Sequence, residues 1–117
     1  MKLDYGCGEV EAIFSVETMM VYEQEFGADI VQELFGRAVV RREESADDVL
    51  LAIDYRNVNW TKCVKALWAA MKTADQSLPP FSQWVKDAGP IDLGTVADRV
   101  LSEATKGFFR AGAGDTD

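Results

Sequence analysis

Residues 60–84 read WTKCVKALWAAMKTADQSLPPFSQW, and this stretch decides the fold. It holds all three tryptophans and two of the three prolines. Trp60, Val64, Leu67, Trp68 and Met71 recur at helical spacing, so they share one apolar face. Asn59 stands where a cap belongs, with a side-chain oxygen free to accept a first-turn amide. Cys63, Ala66 and Ala70 flank the stripe, and the small alanines let a neighbouring element approach closely. Lys72 falls in the last turn, where a cation suits the helix dipole. Pro79-Pro80 forbids continuation, because proline lacks the amide and clashes with the preceding turn. Phe81, Trp84, Val85 and Ala88 then mark a short helix that Gly89-Pro90 ends. The spacing predicts helices over about 60–74 and 81–88.

Outward from there, the C-terminal side is the best specified. Asp92 is the cap, and Ile91 and Val96 can form a hydrophobic staple across the first turn. Leu93, Val96, Ala97, Val100, Leu101, Ala104 and Phe108 keep a helical period over about 92–108, with Gly94 and Gly107 as local weak points. Residues 111–117, AGAGDTD, have nothing to bury and are expected to be disordered.

On the N-terminal side, residues 1–14 suggest a β hairpin: Lys2 to Tyr5, a Gly6-Cys7-Gly8 turn, then Glu9 to Phe14 with partial alternation. Ser15 is placed to cap a helix over about 16–26, with Val16, Met19, Met20 and Phe26 as its apolar residues and Gly27 as its end. Asp29 opens the next helix, about 28–38, striped by Ile30, Val31, Leu34, Phe35 and Ala38. Arg41-Arg42-Glu43-Glu44 reads as a charged, solvated connector. Ser45-Ala46-Asp47-Asp48 resembles a capping box, which predicts a helix over about 46–55 with Val49, Leu50 and Ile53 on one face. The sum is a mainly α fold, one helical domain over 1–110 with a small N-terminal β hairpin.

Composition narrows the chemistry. The chain has 117 residues, 48% of them hydrophobic, enough for one domain with a real core. A net charge of −8 argues against nucleic acid and against anionic membranes as partners. No histidine is present, which removes the commonest general base and metal ligand. The acid pairs Glu23/Glu25, Glu43/Glu44 and Asp47/Asp48 sit on polar faces or beside caps, where solvated surface is favoured over catalysis. Gly6-Cys7-Gly8 falls far short of a phosphate-binding loop, and no calcium-loop or zinc motif is found. Cys63, among apolar neighbours, reads as a buried inert thiol. No enzyme and no cofactor are expected. With two widely spaced cysteines, no apolar signal segment and no membrane-length apolar run, the expectation is a cytoplasmic protein.

What remains is partner binding. Trp68 belongs to the core by its mid-helix position, whereas Trp84, after the Pro-Pro break, divides evenly between core and interface. Phe108 and Phe109 lie at a helix end before the polar tail, so with Trp84 they are the candidate partner-binding residues.

The run Leu67-Trp68-Ala69-Ala70-Met71-Lys72-Thr73-Ala74-Asp75, followed by Pro80-Phe81 and Trp84, resembles the small tail assembly chaperones of long-tailed bacteriophages. A second segment, Tyr22-Glu23-Gln24-Glu25-Phe26-Gly27 after a short strand pair, is similar to their acidic helix ending in Phe-Gly. Together the two cover about a third of the chain in the family's order; Ala70 and the extra Pro79 depart from its pattern. The resemblance implies a non-enzymatic protein of the host cytoplasm. Its client would be the phage tape measure protein, held soluble while tail tube subunits are recruited. Self-association with a second copy is a further candidate contact. The competing expectation, from charge alone, is an acidic inhibitor or nucleic-acid mimic that binds a host protein.

Overall fold

The structure, a computed structural model, describes residues 2–4, 9–36, 39–44, 49–53 and 57–108. It is mainly helical. In chain order its elements are β1 (Lys2–Asp4), β2 (Glu9–Glu11), α1 (Val16–Phe26), α2 (Ile30–Phe35), β3 (Val39–Glu44), β4 (Val49–Ile53), α3 (Trp60–Ala74), α4 (Phe81–Ala88) and α5 (Leu93–Phe108).

α3 is the centre. Cys63, Val64 and the unbroken run Ala66 to Met71 are buried, so α3 is covered on more than one side. α1 runs antiparallel along it, with Thr18 beside Thr73 and Phe26 beside Trp68. α5 packs on another side through Val96, Ala97, Val100, Leu101 and Ala104, all buried. α2 contributes Ile30, Leu34 and Phe35 to the same buried cluster. Burying each of these large side chains contributes roughly 1.5–3 kcal/mol.

The helix starts follow the local cap chemistry. Asp29 accepts from the amides of Val31 (2.8 Å) and Gln32 (3.2 Å). Asn59 accepts from the Lys62 amide at 3.1 Å, and Asp92 from the Thr95 amide at 3.2 Å. Each such cap stabilises its helix by about 1 kcal/mol. At Ser15 the backbone amide donates to Thr18 Oγ1 (3.1 Å), one arm of a capping box with threonine in the usual glutamate position. Gly27 ends α1 in the left-handed conformation, φ 66°, which a side chain would strain.

The N-terminal hairpin is present, with β1 antiparallel to β2 in the register Lys2↔Glu11, Leu3↔Val10, Asp4↔Glu9. Residues 39–53 overturn an expectation. The helix expected over 46–55 is replaced by strand β4, paired antiparallel with β3 from Glu44↔Val49 to Val39↔Ile53. The charged connector at 41–44 is the other strand, and α2 stops at Phe35 instead of running to 38. Five consecutive apolar residues, Val49 to Ile53, suit a short strand as well as one helix face, and only a pairing partner decides between them. That partner is distant in pattern: Val39 and Val40 have β-branched side chains, but the arginines and glutamates after them disguise the strand. The disordered tail expected over 111–117 lies outside the described residues.

Candidate functional site

The two sequence segments singled out above meet in space. Phe26, at the end of α1, packs edge-on to Trp68 (centroids 5.7 Å) and to Phe81 (5.0 Å). Tyr22 lies 4.7 Å from Phe26, and Trp84 6.1 Å from Phe81. Edge-on rings set the positive rim of one against the negative face of the next, about 0.5–1.5 kcal/mol per pair beyond area burial. Lys65 Nζ stands 5.1 Å from the Phe26 ring centroid, a cation–π contact.

Polar contacts fasten this junction. The Trp68 indole donates to the Pro79 carbonyl at 2.9 Å, so the Pro-Pro break is tied to the helix it terminates. Lys72 Nζ donates to the carbonyls of Gln76 (2.8 Å) and Leu78 (2.6 Å), which holds the loop closed. Asp75 accepts from both the hydroxyl (2.6 Å) and the amide (3.0 Å) of Ser77, and these bonds hold its pKa below the ordinary value. The Pro80 ring carries no acceptor that could cap α4. Instead Glu25, from α1, accepts the Phe81 amide at 3.2 Å and sets an anion at that helix's positive end.

A second polar group lies on the opposite side of Tyr22. Glu33 accepts from the Tyr22 hydroxyl (3.2 Å) and from Lys62 Nζ (2.6 Å). Burial, and then the neighbouring Glu33 charge, raise the Tyr22 pKa well above its ordinary value. Burial alone pushes the Cys63 thiol up to about 11, so it stays protonated and is a poor nucleophile at neutral pH. Among the described residues, no group of three or more Cys, Asp or Glu is arranged to hold a metal ion, and no helix is long and apolar enough to cross a membrane.

The three candidate partner residues fare differently. Trp84 is buried, only 5% exposed, and belongs to the aromatic junction instead of a partner surface. Its place after the break does not expose it: it lies beside Phe81, one turn earlier, whose ring packs edge-on to Trp68. Phe108 is half-buried edge-on against Phe14, centroids 6.0 Å apart. Phe109 lies outside the described residues.

The exposed large apolar residues are others: Val16 (70%), Met20 (57%), Leu93, Trp60, Ile13 and Val85. Val16, Met20 and Trp60 were expected on core faces. For Val16 and Met20 the exposure follows from which α1 residues are buried: Thr18 and Tyr22 point inward, and both hydroxyls find partners there; Trp60 is the first residue of α3. Hydrophobicity alone gives no signal for this; the spacing of Thr18 and Tyr22, one turn apart, is the signal that was available.

Comparison of the chain with known protein families, with curated proteins and with solved structures finds no match.

Proposed function

We propose that this chain is a non-enzymatic tail assembly chaperone of a long-tailed phage, keeping the tape measure protein soluble in the host cytoplasm and helping to recruit tail tube subunits. The observation that carries this reading is the convergence of the two family-like segments. Tyr22 to Gly27 and Leu67 to Trp84 share one junction, in which Phe26, Trp68 and Phe81 touch one another and Glu25 caps α4. Two stretches that resemble one family in sequence therefore also depend on each other in space. The exposed apolar residues of α1 add a surface for the amphipathic helices of a client. A net charge of −8 would help keep a coated client dispersed.

The test is co-expression with the large helix-rich protein encoded near this chain's gene, scoring its solubility with and without the partner. Recovery of a soluble complex supports the proposal. A client that stays insoluble beside well-folded chaperone sinks it and favours the acidic-inhibitor reading, whose complex with a host protein would dissolve steeply with salt.

A further inference from the structure

We infer that the solvent face of α1 docks an amphipathic helix with basic flanks. The inference goes beyond the functional proposal: it concerns this face and the chemistry it takes, whichever protein carries the helix.

Met20 is two residues from both buried positions, Thr18 and Tyr22. At about 100° per residue that sets it on the far side of the helix from α3. Val16 lies one turn before it, and Ile13 stands at the entrance to the helix, held there by its amide on the Ala70 carbonyl at 3.0 Å. Val16 and Met20, 70% and 57% exposed and one turn apart, form a short row on this face, and Ile13 is 41% exposed. A row at this spacing meets the i, i+3, i+4 ridge of another helix.

Charge selects the occupant. Glu17 and Glu23 stand three residues before and after Met20, about 60° to either side, and both are exposed. α1 carries Glu17, Glu23 and Glu25 and no Lys or Arg. Among the described residues Glu17 accepts from the neutral amide of Gln76 (3.2 Å), a contact that leaves its charge uncompensated. Glu25 is engaged with the Phe81 amide, and Lys65 lies over Phe26, towards the α3 side of the helix. The surface is therefore an apolar row between two acidic rails. Its complement is an apolar row between Lys or Arg rails. A second copy of this chain fits poorly, because a two-fold pairing of α1 faces sets glutamates against glutamates. An anionic membrane is repelled by the same rails.

The experiment uses the full chain and three synthetic peptides of about 18 residues, five helical turns. One has a leucine row flanked by lysines, one the same row flanked by glutamates, and one the lysine peptide in scrambled order. Binding is read by fluorescence anisotropy. The lysine-flanked helix should bind at least about tenfold more tightly than either control. V16S combined with M20S should weaken it by about tenfold or more while leaving the thermal melt unchanged. E17K combined with E23K should reverse the preference, so that the glutamate-flanked peptide binds better. Equal binding of the scrambled peptide would reduce the effect to net charge and overturn the inference. So would absence of binding, indifference to V16S/M20S, or a dimer of the free chain that V16S/M20S dissolves. An insoluble tape measure protein in the co-expression test leaves these outcomes untouched.

Discussion

α1 and α3 lie side by side and obey opposite rules. In α3 the apolar residues are inside: Leu67, Trp68 and the alanines 66, 69 and 70 are at most 2% exposed. In α1 two hydroxyl-bearing residues, Thr18 and Tyr22, are fully buried while Val16 and Met20 face water. The difference lies in what each helix must satisfy. α3 has partners on several sides and small residues that admit them; at Ala70 the neighbouring backbone comes close enough for the Ile13 amide to reach its carbonyl. α1 must close the chain entering from the hairpin. Thr18 does so: it accepts the Ser15 amide and donates to the Ile13 carbonyl at 2.6 Å. Thr73 Oγ1 stands 3.0 Å from Thr18 Oγ1 and 2.8 Å from the Ala69 carbonyl, and its one proton serves one of them at a time. A satisfied hydroxyl is cheap to bury, and an unsatisfied one costs about 1–3 kcal/mol.

The comparison breaks most decisively at Trp68. Trp68→Ala should cost about 3–5 kcal/mol in urea unfolding, from cavity formation plus an orphaned Pro79 carbonyl. Trp68→Phe keeps a ring and should cost clearly less. If both cost the same, the indole bond to the loop is the dominant contribution and the packing argument fails.

The α1 side breaks at Thr18. Thr18→Val keeps the shape and removes the hydroxyl, leaving the Ser15 amide without its acceptor. A loss of about 1–3 kcal/mol is expected. A neutral result would mean that α1 is oriented by shape and not by its hydrogen bonds.

Two glycines sharpen the contrast between close and open approaches. A Cβ on Gly107 would clash with the Phe14 carbonyl oxygen, so Gly107→Ala should destabilise by about 1–3 kcal/mol despite alanine's higher helix propensity. Gly94 has only Asp92 Oδ1 nearby, at 3.7 Å, so Gly94→Ala should stabilise by up to about 1 kcal/mol. Thermal melts that rank the two the other way would contradict the packing of α5 against Phe14.

pH separates the buried acids from the exposed caps. Cys63 and Tyr22 have raised pKa values in the folded state; the Cys63 contribution is fully present below about pH 9 and is lost as pH rises through about 11, and that of Tyr22 is fully present below about pH 10 and persists to more alkaline pH than that of Cys63. Asp92 has a lowered value, first from its bond with the Thr95 amide; its contribution is present above about pH 4 and is lost on further acidification. Stability measured across this range should fall at both ends, and Cys63→Ala should soften only the alkaline limb. The smallest effect is on the solvent side of α1: Met20→Ser should change stability by no more than about 0.5 kcal/mol. A larger loss would place Met20 in a contact that its exposure does not show.

Much of this was legible from residues 60–84 and 92–108. Their caps, stripes and proline break are local: Asn59 and Asp92 act on amides three residues away, and Pro79-Pro80 acts on its own turn. For the same reason the chain's mainly helical class and its N-terminal hairpin could be read without coordinates. The pairing of β3 with β4 was not legible, because a strand is stabilised by its neighbour and Arg41 to Glu44 hide the pairing with Val49 to Ala52. For the candidate site, Phe108, expected as exposed apolar surface, is half-buried against Phe14, and Trp84 is buried beside Phe81.

The sequence by itself determined where the helices of the C-terminal half begin and end, because capping and proline chemistry reach only a turn along the chain. The tertiary structure alone decided which side of α1 faces water. That choice depends on acceptors supplied by residues far away in sequence, Thr73 and Glu33, and on the space left by Ala70. An amphipathic pattern ranks faces by hydrophobicity; burial ranks them by whether every polar atom taken inside finds a partner.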